Sequence, residues 1–125
     1  VDIISDNKIS IFDNNISLEF FNGGNNNYAV YDFENDKVTY PYSQSFTKYN
    51  VSTKTGGLSD TINSNEIFIE ESNNGRLMIL DRNGNQIWYY LNKDKKNTSY
   101  ILSWSRYIQK NNLRTTIDKL KNHKC

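Results

Sequence analysis

Arg106 carries the strongest chemical promise in this chain, because it stands in Ser103-Trp104-Ser105-Arg106-Tyr107 between two aromatic side chains. A guanidinium presents a planar fork of donors that fits sulfate or carboxylate, and Trp104 and Tyr107 beside it suit a phenolic ring. The competing reading is an arginine stacked on one of those rings for packing alone, a common arrangement. Other chemistry-bearing residues fare less well. The only histidine, His123, ends a Lys-rich tail, where no partner is placed to hold and orient the imidazole. Glu70 and Glu71 are neighbours, so on a strand they point to opposite faces and make no acid–base pair. Asp81-Arg82-Asn83-Gly84-Asn85 has a loose likeness to a calcium loop, but its Gly stands fourth rather than sixth and Asn92 replaces the terminal Glu. No phosphate-binding loop, dinucleotide fingerprint or Cys/His metal spacing occurs, and a serine nucleophile would have only His123 as its base. No catalytic residue, metal site or cofactor is therefore expected within the chain.

The elements that must position Arg106 belong to one domain. A chain of 125 residues with 36% hydrophobic content is long enough to bury a core and is not of disordered composition. With a net charge of +1 and no dense basic face outside the tail, affinity for nucleic acid is not expected. No apolar run has the roughly 18–20 residues of a membrane span. A single cysteine, Cys125, permits no internal disulfide. The sequons at Asn15, Asn50 and Asn97 are as many as so Asn-rich a chain produces by chance, and carry no weight. Val1 opens the chain with neither Met nor a signal peptide, which reads as processing or as part of a longer product.

Alternation and turn residues divide the chain into short strands. Expected strands are Ile3–Phe12 with a break, Leu18–Phe21 as its return, Tyr28–Phe33, Lys37–Tyr40 and Leu58–Ile62. Those after Asn63-Ser64-Asn65 are Ile67–Glu71, Arg76–Leu80, Gln86–Leu91 and an aromatic-rich Tyr100–Tyr107. Ser43–Thr55 reads as a polar connection with Phe46 and Tyr49 in it. Asn111 or Asn112 is placed to cap a helix with Leu113, Ile117 and Leu120 at i, i+4 and i+7. The division is thus 1–107 as antiparallel strands and 108–125 as an amphipathic helix and tail.

Ile67–Asn92 is the strongest of these units. Asn83-Gly84 between two β-type runs signals a hairpin, with a type I′ turn needing φ > 0 at both central residues. Leu77–Leu80 and Ile87–Tyr90 are apolar on both faces, which calls for cover on both sides. Val30-Tyr31-Asp32 … Lys37-Val38-Thr39-Tyr40 aligns without gaps on Ile79-Leu80-Asp81 … Gln86-Ile87-Trp88-Tyr89, and Asp32 to Asp81 is 49 residues. Four strands in about 40–50 residues is the period of a propeller blade. An all-β chain of propeller-like antiparallel blades with a short C-terminal helix is expected, a compact β-sandwich being the alternative. Open edge strands at both ends call for a missing propeller segment or a homo-oligomer.

Phe12-Asp13-Asn14, Tyr31-Asp32-Phe33-Glu34, Thr55-Gly56-Gly57-Leu58 and Asn74-Gly75-Arg76-Leu77 … Asp81-Arg82-Asn83-Gly84-Asn85-Gln86-Ile87-Trp88-Tyr89-Tyr90 together resemble the C-terminal propeller blades of arylsulfotransferase-type proteins. The resemblance covers roughly residues 8 to 107. It implies an extracytoplasmic enzyme that moves sulfate between phenols through a sulfated histidine, without a nucleotide sulfate donor. His123 matches no motif of that family, and Asn26-Asn27 stand where its Ser-Arg pair usually precedes the Tyr-Asp segment. The resemblance therefore implies a nucleophilic histidine outside this chain, or a non-enzymatic binding or scaffold module with an exposed Tyr/Trp surface. Arg106, Trp104 and Tyr107 are the residues expected to meet a phenolic small molecule.

Overall fold

Runs rich in β-branched and aromatic residues, each closed by Asn, Asp or Gly, build the strands of this protein. The computed structural model describes residues 1–15, 26–108 and 110–122. The first sheet holds β1 (Asp2–Ser5), β2 (Lys8–Asp13), β3 (Asn27–Asp32) and β4 (Lys37–Thr39) in that spatial order. A short helix, α1 (Ser43–Lys48), leads to the second sheet. That sheet holds β5 (Leu58–Asn63), β6 (Glu66–Glu71), β7 (Arg76–Asp81) and β8 (Gln86–Leu91), again in chain order. Every pairing is antiparallel. A last helix, α2, covers Lys110–Asn122. The class is all-β, as expected. The proposed return strand Leu18–Phe21, His123 and Cys125 lie outside the described residues.

Register decides which side chains meet, because alternate residues point to opposite faces of a sheet. Phe12 opposite Tyr28 and Ser10 opposite Val30 share one face of the first sheet. Ile67 opposite Leu80 and Ile69 opposite Met78 share one face of the second. These faces close on each other around Phe46 of α1, so that Tyr28, Phe46, Val51, Ile67, Ile69, Met78 and Leu80 form the core. Each such burial contributes about 1.5–3 kcal/mol. The seam between the sheets is sewn by polar groups that would otherwise be stranded. The Tyr28 hydroxyl meets Thr61 Oγ1 at 2.9 Å. Buried Asn26 donates to the Asn14 carbonyl at 2.8 Å, and Asn14 donates in turn to the Gly56 carbonyl at 2.7 Å. Fully buried Glu71 accepts from Ser52 N–H at 2.8 Å and from Arg76, whose guanidinium also donates to the Asn50 carbonyl at 2.9 Å.

The β3–β4 and β7–β8 hairpins occupy the third and fourth places of their sheets. Their turns close alike. Asp32 accepts from Glu34 N–H at 3.0 Å and Asn35 Nδ2 at 3.0 Å. Asp81 accepts from Asn83 N–H at 2.9 Å and Asn85 Nδ2 at 3.1 Å. Side-chain carboxylates that accept the next amides are what make Asp a turn former.

Several expectations are corrected. The turn at Asn83-Gly84 is not type I′, since Gly84 alone has positive φ, at 78°, and Gly84 N–H donates to the Asp81 carbonyl at 2.9 Å. Ser43–Lys48, read as a polar connection, is helical. Tyr100–Tyr107 is not a strand: beyond the bridge Lys93–Ser99 it is irregular, and Trp104 has φ 62°. The C-terminal helix starts at Lys110, before both expected caps. The β7–β8 hairpin is not covered on both sides. Met78 and Leu80 are buried, but Trp88 is 45% and Tyr89 58% exposed, β8 being the edge strand of its sheet.

Candidate functional site

The chain returns over the second sheet after β8, and that return makes the site. Asp94 accepts from Lys96 and Thr98 N–H at 2.8 and 2.9 Å, closing a turn that sends the backbone back. Tyr100 N–H donates to the Asn92 carbonyl at 2.8 Å. The Tyr100 carbonyl then passes so near Gly75 that a Cβ there would lie 2.1 Å from it, and Gly75 has φ 62°. Glycine is required at that crossing on both counts. Leu102 N–H donates to the Ser72 carbonyl at 3.0 Å.

Glu70 anchors the next residues. Its side chain, 1% exposed on β6, accepts from Ser72 Oγ and Ser105 N–H, both at 2.6 Å, and from the Trp104 N–H. A carboxylate buried inside the run Ile67–Glu71 must find such donors or abandon its charge. Burial pushes its pKa up, yet the bonds from Ser72, Ser105 and Trp104 outweigh burial and hold it below the ordinary glutamate value of 4.5. Trp104 is held in left-handed backbone, a conformation costly for a bulky residue, and its ring is turned out to solvent.

Between this return segment and the start of β5 lies a cavity of about 580 Å³, lined by Leu58, Asp60, Glu70, Ser72, Trp104 and Arg106 among others. The Arg106 guanidinium stands 5.3 Å from the centroid of the Trp104 ring. The ion pairs among the described residues are Lys8–Asp32 at 3.1 Å and Glu71–Arg76, and neither involves Arg106. Asp60 accepts from the Tyr107 N–H. Burial, then the negative field of Asp2, raises its pKa, while Arg106 and the Tyr107 amide pull the other way. The lining holds three carboxylates, Asp2, Asp60 and Glu70, against one guanidinium, which limits how much negative charge the cavity tolerates. The cavity thus offers one guanidinium beside an exposed indole.

Of the residues singled out from the sequence, the structure brings Trp104 and Arg106 together at the cavity. Tyr107 is not among the lining residues and contributes its backbone amide to Asp60. Asp60 and Glu70 were not anticipated as cavity groups. The signal for Glu70 was available: a glutamate flanked by Ile67, Phe68 and Ile69 on a strand implies a buried charge with dedicated donors. Asn26, at the position of the family's Ser-Arg pair, is a buried structural residue bonded to Asn14 and Thr53. Glu70 and Glu71 serve opposite faces of β6, one holding the return segment and the other Arg76. Among the described residues no group of three His, Cys, Asp or Glu side chains is placed to hold a metal ion.

Compared with known proteins, the chain matches the family model described as arylsulfotransferase (ASST) over residues 1–93. That match ends before the segment carrying Trp104 and Arg106. No curated protein and no solved structure matches the chain.

Proposed function

Because the chain belongs to the arylsulfotransferase family, we propose that it forms two blades of a β-propeller sulfotransferase acting on phenolic sulfates. In this reading the nucleophilic histidine comes from outside the chain, and the Trp104–Arg106 cavity binds the aryl sulfate. The single observation that carries the binding role is the Arg106 guanidinium, in no ion pair among the described residues, lying against the face of Trp104. The ring of a phenyl sulfate would stack on the indole while its monoanionic sulfate meets the guanidinium. In the transfer itself the S–O bond to the donor phenol breaks as a bond from sulfur to the histidine nitrogen forms. Sulfate then passes to the acceptor phenol, and this chain's part is to hold and orient the ester.

The propeller reading is supported by the two outer faces. Ile3, Ile11 and Val38 are exposed on the face of the first sheet turned away from the core, and Trp88 and Tyr90 on that of the second. Apolar faces on opposite ends of a two-sheet stack suit further sheets on either side. The equivalent Asp-closed hairpins 49 residues apart support the same period. No helix among the described residues is long and apolar enough to cross a membrane, and the family likeness favours a location outside the cytoplasm.

Calorimetric titration of the chain with phenyl sulfate tests the binding role. Binding should weaken by about tenfold or more in Arg106→Ala, the loss of one bond to a charged group. Equal affinity in both proteins would reject the cavity as the sulfate site. The chain alone should not transfer sulfate from a chromogenic phenyl sulfate to an added phenol, and turnover would reject a histidine outside it. The exposed Trp88, Tyr89 and Tyr90 favour a second reading, a non-enzymatic interaction module, which absence of any phenyl sulfate binding would leave standing.

A further inference from the structure

Helix α2 is set apart from the two sheets in its character. Leu113, Ile117 and Leu120 fall within an arc of about 60° on its surface at 100° per residue, and all three stand exposed, Leu120 at 67%. A helix that folds for the sake of the core turns such a stripe inward. This one turns it to solvent. Arg114 and Lys121 run along one border of the stripe and Lys119 lies behind it, while Asp118 is the only acidic residue of Lys110–Asn122. Lys110, Arg114, Lys119 and Lys121 against Asp118 give the segment a charge of +3, although the whole chain carries only +1.

We propose that α2 is an interfacial helix that docks the protein in the plane of an anionic phospholipid surface. The chemistry of recognition is twofold. The aliphatic stripe enters the boundary between headgroups and acyl chains, and the cations along its border meet the lipid phosphates with their stems lying on the apolar surface. A polar helix with one narrow apolar stripe and a strong excess of Lys and Arg is the composition that lies on a membrane rather than crossing it. Three aliphatic side chains alone hold weakly, and so do a few cations alone, so attachment needs both and is reversible. The occupant is argued from charge: a neutral lipid surface leaves the bordering cations without partners, whereas an anionic one pairs with them. The proposal is independent of the sulfotransferase reading.

Co-sedimentation of the full chain with large unilamellar vesicles tests it directly. The chain should bind vesicles with about 30% anionic phospholipid and fail to bind purely zwitterionic ones. Raising salt from about 0.05 M to about 0.5 M should weaken binding by tenfold or more. Replacing Leu113, Ile117 and Leu120 together by Gln should abolish binding. Because all three are exposed, the thermal unfolding of that variant should match the parent, which separates lost docking from lost folding. The pair Arg114→Gln and Lys121→Gln should weaken binding by about tenfold and flatten its salt dependence. Failure to bind anionic vesicles, or binding unchanged in the triple Gln variant, overturns the proposal. Tight binding to nucleic acid or to an acidic protein with no vesicle binding overturns it equally.

Discussion

Glu70→Gln is the substitution with the sharpest expected consequence, because one buried carboxylate fastens the return segment to β6. Three donors converge on it: Ser72 Oγ and Ser105 N–H at 2.6 Å and the Trp104 N–H. A hydrogen bond to a charged group contributes about 1.5–3 kcal/mol and a neutral one about 0.5–1.5, so removing the charge costs roughly 1 kcal/mol per bond. The new amide also turns one acceptor into a donor facing a backbone N–H, which adds about 1–3 kcal/mol. With two bonds weakened and the third replaced by that clash, the expected destabilisation is about 3–5 kcal/mol, or roughly 10 °C or more in Tm for a chain of this size. Urea unfolding followed by tryptophan fluorescence measures the total, and amide exchange at Trp104 and Ser105 reports the segment itself. The pH dependence has a definite sign. A carboxylate whose folded pKa is depressed contributes in full above the ordinary value of 4.5 and loses that contribution as pH falls through the folded value. Below it, parent and Glu70→Gln should converge in stability. A variant within about 0.5 kcal/mol of the parent at neutral pH, with unchanged exchange at Ser105, would mean that Glu70 does not fasten the return segment.

Three further outcomes follow from the same geometry. Gly84→Ala should destabilise by about 1–3 kcal/mol in urea unfolding, since Gly84 has φ 78° and a Cβ there would lie 1.9 Å from Ser45 Oγ. Arg76→Ala should cost about 3–5 kcal/mol by the same measurement, because it leaves Glu71 buried and short of its cation; adding Glu71→Gln should restore part of the loss. Asp32, held ionised by its bonds to Asn35 and Lys8, should titrate near pH 2 in carboxyl NMR, its contribution present above 3.8 and lost as pH falls through about 2. A midpoint near 3.8 for Asp32 would contradict the turn geometry.

The strands of both sheets were legible because runs rich in β-branched and aromatic residues end in Asn, Asp or Gly, as at Asp32 and Asp81. Helix α1 was not, since Ser43–Lys48 offers one apolar residue, Phe46, and no side-chain cap; it forms because Phe46 fills the gap between the sheets. Tyr100–Tyr107 has the composition of a strand. Its amides are instead taken by the carboxylates of Glu70 and Asp60, and the left-handed backbone at Trp104 breaks the extension. A tertiary acceptor overrode local propensity there. The juxtaposition of Trp104 and Arg106 was readable from their spacing, but the cavity beneath them was not, because Asp60 and Glu70 arrive from strands far earlier in the chain. The cover expected on both faces of the β7–β8 hairpin is not found: its runs are apolar on both sides, yet Trp88 and Tyr89 of β8 stand exposed.

Whether these two sheets stand within a larger stack is best decided by the native mass of the species that carries them. Such a stack requires an assembly or parent chain well above 14.6 kDa, with Trp88 shielded from a soluble fluorescence quencher. A stable monomer of 14.6 kDa in which Trp88 is freely quenched would contradict it.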